Sequence, residues 1–578
     1  MRRAGSKHTA VLEVLRIFLP QNFRAKTLPG QRPDAIGMQK IYPHKIVPVL
    51  RTCSLVLVLL VGTLYLAPFI LLGSGAWEAD SDVLRTLFTS VLGSYLVNTL
   101  LLCGGVLLGS LAIGVSTAWL VTQYEFPLRR VFTLLLPISI IISPYMRGLV
   151  FMEYANNLQF AAYPVLQKYV PDLLPVLNQW WNFPFLVLTL TLSLFPYVYV
   201  FTATMYNRNS RSIIDTARLL NHSHRSLFFS VGLPVAGPAL RIGAAVVLMD
   251  TLNEYGAISY FGFPTISSAV FRTWFVYKDI GSAKLLAGIV LLLVLLLVTA
   301  FRKKDEGMRY DINRHYPVHR EKLPLAKGLP ASLFCTFWIF LGFVLPVSQF
   351  IQWAQVSTGS LSRLWDMTKD TLYFVAVTAC IGIGLAVFLS YMHHLRQNKI
   401  YKTIFHYMTL GYAIPSTVAA IAVLGLIYFL VGLFDSPGIS QLLAGKTIVG
   451  LVFAAILRFF FVIAKPVYQG FHHYGRRYED ASSSLGASGP GTFFRIALPL
   501  NAPFIFSGAL LFLIELLKEI PLTLILRPFN FNTLAINAYL LARDEMLMAS
   551  SIPTLVIIVI GLIGTLLFQW IEHRWKPA

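Results

Sequence analysis

The sequence predicts an all-α polytopic membrane protein of about 12 transmembrane helices in two parallel six-helix repeats, on three observations. The 578 residues are 56% hydrophobic and only 13% charged, about half the charged share of a soluble chain. So few charges cannot clothe a water-facing surface. Apolar runs of spanning length, roughly 20 residues, recur along the chain. Finally, the second half repeats the side chains of the first at a constant interval.

The runs lie near 54–73, 95–121, 131–151, 182–205, 238–261 and 285–301, then near 330–352, 371–392, 403–432, 447–464, 503–526 and 551–570. Polar or Pro/Gly-rich stretches bound each. The run over 403–432 is too long for one straight helix, and Gly411 and Pro415 predict a break inside it. Gly105 and Gly109, one turn apart in the second run, mark a face where another helix packs closely. Cys53, Cys103, Cys335 and Cys380 sit in or beside apolar runs without metal-ligand spacing, and are expected to be small buried hydrophobes.

The net charge of +21 gives the orientation. Residues 1–51 carry ten Lys/Arg against Glu13 and Asp34, which places the N-terminus in the cytoplasm. With an even number of spans the C-terminus returns there too. The inner segments then hold 33 basic and 11 acidic residues, and the outer loops 10 and 11. Topology accounts for the charge, so a nucleic-acid partner is not required. The first apolar run lies too far from the start, and is too long, for a cleaved signal peptide. The expected organisation is a basic cytoplasmic segment over 1–50, a first membrane domain over 51–301, a cytoplasmic linker over 302–329 and a second membrane domain over 330–578. Residues 1–37 are either a soluble extension or, the favoured alternative, the product of a start codon upstream of Met38.

Laying 206–300 over 471–565 at an interval of 265 pairs Asp215 with Asp480, Asn221 with Gly486, Pro234 with Pro499, Gly243 with Gly508, Asp250 with Glu515 and Glu254 with Glu519. Six spans per half make this a parallel duplication about an axis along the membrane normal. In both inner loops an acid is followed six residues later by Asn or Gly, and thirteen residues further on comes the proline of Leu-Pro. That pattern predicts a short helix ended by a left-handed residue, then a turn, and then a proline that opens the next helix.

These paired loops, Asp215-Thr216-Ala217 to Asn221 and Asp480-Ala481 to Gly486, each followed by Leu-Pro, resemble the "EAA" signature of binding-protein-dependent ABC importer permeases. The resemblance spans about residues 50–570 and implies a type I importer permease fold. It also implies that Asp215, Thr216, Ala217, Asn221 and Pro234, with Asp480, Ala481, Gly486 and Pro499, form the docks for a cytoplasmic ATPase dimer. Asn221 and Thr216 depart from the consensus, which makes the first loop the weaker dock. The segments from Asp250 to Gly262 and from Glu515 to Ala535 further resemble the fused permeases of ferric iron importers, with fused thiamine permeases the nearest alternative. The resemblance implies a periplasmic or surface binding protein that delivers substrate, ATP held only by the partner subunit, no cofactor on this chain, no enzymatic activity of its own, and the bacterial inner membrane as its location. A twelve-span secondary carrier is the alternative from another class, disfavoured because it needs no such docks.

Removing the loop charges leaves Arg147, Arg241, Arg458 and Lys518 with Asp250, Glu254, Glu515 and Glu519 at membrane depth. Ionisable groups there are costly unless paired or facing a cavity. The acids stand four residues apart on the fifth and eleventh spans, which would put each pair on one helix face. Together with Lys518 they are the candidate translocation pathway, offering carboxylate oxygens to a hard cation in transit without forming a high-affinity metal site. The competing role is structural: pairing with Arg147, Arg458 or Lys518, or capping broken helices.

Overall fold

A computed structural model describes residues 46–87, 89, 92–208, 214, 216–218, 223–302, 320–357, 361–395, 399–434 and 448–574. The chain separates into two compact units, Met1–Leu57 and Val58–Ala578. The first is described only over its last residues, which are helical from Ile46 onward. The helix that begins at Ile46 runs on to Leu71 in the second unit, which holds all the later elements.

Its principal helices are α1 (Ile46–Leu71), α2 (Leu92–Gln123), α3 (Pro144–Tyr169), α4 (Asn182–Arg208), α5 (Gly237–Asn253) and α6 (Ile280–Arg302). They continue with α7 (Leu325–Ile339), α8 (Leu361–Leu395), α9 (Ser416–Phe434), α10 (Val449–Tyr474), α11 (Leu498–Leu517) and α12 (Leu547–Arg574). Among the described residues nine helical segments are long and apolar enough to cross a membrane. Two bent pairs raise this to eleven: Arg129–Ile141 with Pro144–Tyr169, at 91°, and His224–Val235 with Gly237–Asn253, at 68°. The sixth expected span falls on α6, whose described apolar stretch, Ile280–Leu296, is shorter. Leu100 and Leu108 of α2 and Leu333 of α7 are each 71% exposed, a surface that suits lipid rather than water.

Packing inside the bundle follows the small residues. A Cβ on Gly105 would stand 3.2 Å from Val187, one on Gly109 2.7 Å from Thr191, and one on Gly114 2.6 Å from Val198. Those three glycines are the groove into which α4 fits, so the expected packing face is present. Cys103 and Cys335 are buried as expected, whereas Cys380 is exposed on α8. Gly411 and Pro415 do break the ninth run: a helix over Lys399–Thr409 gives way to a single 3-10 stretch, Leu410–Ala413, before α9 begins.

Three π-helical turns, Leu227–Gly232, Phe340–Val344 and Phe493–Ala497, each precede a Leu-Pro pair: Leu233-Pro234, Leu345-Pro346 and Leu498-Pro499. Proline has no N–H to donate and its ring displaces the carbonyl one turn back, so the helix widens by a residue there instead of stopping. At Leu345-Pro346 and Leu498-Pro499 the helix continues past the bulge, whereas after Leu233-Pro234 it runs only to Val235 before the 68° bend. A short parallel pair, β1 (Tyr124–Glu125) with β2 (Glu321–Lys322), ties the end of the inter-half connection to the loop after α2.

Candidate functional site

Both helices that carry the pathway acids stop at the acids. α5 ends at Asn253, and Glu254 is extended, with ψ of 119°. A short helix, Gly256–Tyr260, follows, and Glu254 Oε1 accepts from the Ala257 N–H at 2.8 Å. α11 ends at Leu517, Pro521–Leu526 follows, and Glu519 Oε1 accepts from the Leu522 N–H at 3.0 Å. The two caps match residue for residue at the interval of 265. Their cause is the unsatisfied N–H groups and partial positive charge at a helix start, which favour a carboxylate. The expectation that each pair of acids shares one helical face is therefore corrected: the helix breaks between Asp250 and Glu254, and between Glu515 and Glu519.

These breaks meet the breaks of the third and ninth runs around a cavity of about 90 Å³. Its lining includes Asp250, Glu254, Glu515 and Glu519, with Arg458 and Lys518. Four carboxylates thus stand against two cations. Asn253, Ser416, Tyr145 and Tyr197 supply much of the remaining polar wall. Asn253 Oδ1 accepts from the Ser416 N–H at the start of α9, a bond that links the two halves. Lys518 Nζ lies 2.9 Å from Glu515 Oε1. Among the described residues, no three His, Cys, Asp or Glu side chains converge as metal ligands, so the acids line the space rather than close on a point.

The other buried cations do not pair with these carboxylates by direct contact. Arg147, fully buried, donates to the Ser139 carbonyl at 2.7 Å and the Gly342 carbonyl at 2.9 Å, and also bonds Ser193. It holds the 3-10 stretch before Pro144 against the π-turn of the seventh run, and so pairing of Arg147 with the acids is excluded. Arg458 bonds the Ile414 carbonyl and lies 5.0 Å from the Phe459 ring and 5.8 Å from the Tyr412 ring. Each half thus uses one buried guanidinium to fasten its broken third helix, but from different elements.

Two features were not found from sequence. Tyr145 packs 5.1 Å from Tyr539 and 6.0 Å from Tyr260, and its hydroxyl donates to the Tyr539 carbonyl at 3.3 Å, closing the halves together beside the acids. No periodicity marks these tyrosines. Lys284, assigned to an outer loop by its position before an apolar run, is buried in α6 with Nζ 2.6 Å from Glu78. Only the fold brings residues 78 and 284 together.

Of the loop residues, Asp215 and Asn221 lie outside the described residues; Thr216 is exposed and Ala217 buried. The second loop is described throughout. Arg477–Ser484 is helical, and Gly486 ends it with φ of +81°. The Ala487 N–H returns to the Ser482 carbonyl at 3.1 Å, the closure a left-handed residue permits. Asp480, Ala481 and Gly486 are exposed, as are Pro234 and Pro499. The next helix starts on Ser488, whose hydroxyl accepts from the Gly491 N–H at 3.3 Å; Ser223 does the same for Ser226, also at 3.3 Å, at the same interval of 265. Inward, Glu479 is buried 3.4 Å from His394, and Arg476 donates to the His394 carbonyl at 2.8 Å. Arg218 holds the Gln123 carbonyl at 3.3 Å in the first half. Each loop is therefore fastened to the end of the second helix of its own half, α2 or α8.

Residues 379–577 match the family described as binding-protein-dependent transport system inner membrane component, a stretch that includes the second loop and the second helix break. The chain is 22% identical over 534 residues to the Fe(3+)-transport system permease protein FbpB 2 of Haemophilus influenzae, covering 89% of this chain and 97% of that protein. It is 21% identical over 386 residues to the ferric transport system permease protein FbpB of Actinobacillus pleuropneumoniae, covering 62% of this chain and 54% of that one.

Proposed function

We propose that this chain, a multi-pass inner membrane permease of binding-protein-dependent ABC transport, imports ferric iron through the cavity where its two halves meet. The observation that carries the cargo is the lining: four carboxylates against two cations, at matched helix breaks. Such a wall favours a cation, and hard oxygen ligands without a closed chelate suit an ion that must leave again. The names of the relatives point the same way.

In this proposal a separate binding protein delivers the ion to the outer face. An ATPase dimer docks on the Asp480, Ala481, Gly486 and Pro499 loop and on its counterpart with Asp215, Thr216, Ala217, Asn221 and Pro234. Residues 51–301 and 330–578 act as the two permease domains, joined by 302–329, with both termini in the cytoplasm. Closure of the ATPase dimer pushes the loops, and Arg218, Arg476 and Glu479 pass the movement to α2 and α8. Asp250, Glu254, Glu515, Glu519 and Lys518 line the route.

Uptake by cells expressing the permease with its ATPase and binding protein tests the cargo. Radioactive ferric iron should accumulate and labelled thiamine should not. Accumulation of thiamine without iron would replace the cargo while leaving the architecture.

A further inference from the structure

The acids of the two helix breaks correspond, but the residue before each capping glutamate does not. At the interval of 265, Asn253 of the first half answers to Lys518 of the second, and both line the cavity. Asn253 accepts from the N–H of Ser416, the residue that opens α9 after the second-half break. The mirror bond is closed to residue 518. The residue that opens α3 after the first-half break is Pro144, which has no N–H. An amide at 518 would lack the counterpart of that donor, whereas a cation finds Glu515 at 2.9 Å.

The two cavity cations also differ in kind. Arg458 is committed to the Ile414 carbonyl and to two aromatic rings, and it is 3% exposed. Lys518 stands at the end of α11 on a flexible four-carbon stem, paired across one turn with Glu515. Arg458 belongs to the wall; the ammonium of Lys518 is able to move within the space.

We propose that Lys518 is a tethered counter-ion of the pathway, occupying the Glu515 side of the cavity when no cargo is present and yielding it only to a multiply charged ion. The inference rests on the cation pathway above and supplies its selectivity. A free monovalent ion offers Glu515 no more charge than the ammonium already there, and must also shed water. A trivalent ion offers about three times the attraction at the same distance. The device keeps a net-acidic cavity from leaking small cations between cycles.

The test uses the permease assembled with its ATPase subunits in liposomes, without ATP, and thallium(I) as the influx probe. Lys518→Asn, which copies Asn253, should raise influx at least about tenfold, because one unit charge beside a carboxylate has been removed. Lys518→Arg, which keeps the charge, should remain at the wild-type level. Lys518→Gln provides a second neutral side chain should the Asn variant fail to assemble, and retained ATP hydrolysis reports assembly. Wild-type influx through an assembled neutral variant overturns the proposal. Failure of the cargo assignment is distinguishable: wild-type vesicles given ATP and the binding protein would then take up no ferric iron, whatever thallium does.

Discussion

Glu254 and Glu519 each do two things, and the two can be separated. One carboxylate oxygen caps a short helix, and the group as a whole adds charge to the cavity. Glutamine keeps an acceptor at that position, while alanine removes it. Glu254→Ala should therefore lower thermal stability by about 1 kcal/mol, the usual cost of a lost cap, while Glu254→Gln stays near wild type. Thermal melting of the detergent-solubilised complex checks this; equal destabilisation by both would show that charge, not capping, holds the break together. At this scale the sequence revealed which acids line the cavity, because Asp250 with Glu254 and Glu515 with Glu519 stand at matched positions in a duplicated chain. It did not reveal that the helix stops between them. Apolar residues run on through 238–261, and Glu254 becomes a cap only once the chain turns to present the Ala257 N–H. Lys284 was misplaced for a related reason, since its partner Glu78 is distant in sequence.

At the scale of the element, the second inner loop was legible almost completely. The interval from Asp480 to Gly486 implied a short helix ended by a left-handed residue, and φ of +81° at Gly486 is that residue. The fastening of the loop to α8 through Glu479, His394 and Arg476 was not legible, because it joins side chains to carbonyls across a fold. Gly486→Ala should strain the turn by about 1 kcal/mol or more while leaving the membrane helices intact. The expected outcome is normal membrane yield with reduced copurification of the ATPase subunit; undiminished copurification would remove the loop from the dock. The Leu-Pro pairs show how a correct signal can acquire a different meaning. Pro234 and Pro499 were expected to open helices, yet serine caps at 223 and 488 start them earlier, and each proline follows a π-turn.

For the molecule as a whole, low charge and spanning apolar runs predicted the all-α membrane fold, and the helices bear this out. The number of spans is less definite than the runs suggested: nine segments, or eleven with the two bent pairs. Bending is what blurs the count. A helix turned by 91° or 68° at its middle presents loop-like backbone at membrane depth, tolerated where it lines a cavity inside the protein. The 91° turn, the break before α9 and the two breaks at the acids line the space between the halves. Duplication supplies two inner loops and two matched caps, and in the proposed function these are two docks for an ATPase dimer and one pathway; the departures from symmetry at the cavity wall include Asn253 against Lys518.

The most direct test joins these scales. The Glu254→Gln and Glu519→Gln double variant, assembled with the ATPase and supplied with the binding protein and ATP in liposomes, is assayed for ferric iron accumulated per ATP hydrolysed. Neutral cavity walls with intact caps and intact docks should leave ATP hydrolysis within about twofold of wild type and lower iron accumulation at least about tenfold. Wild-type accumulation of iron by the double variant would contradict a pathway through these carboxylates.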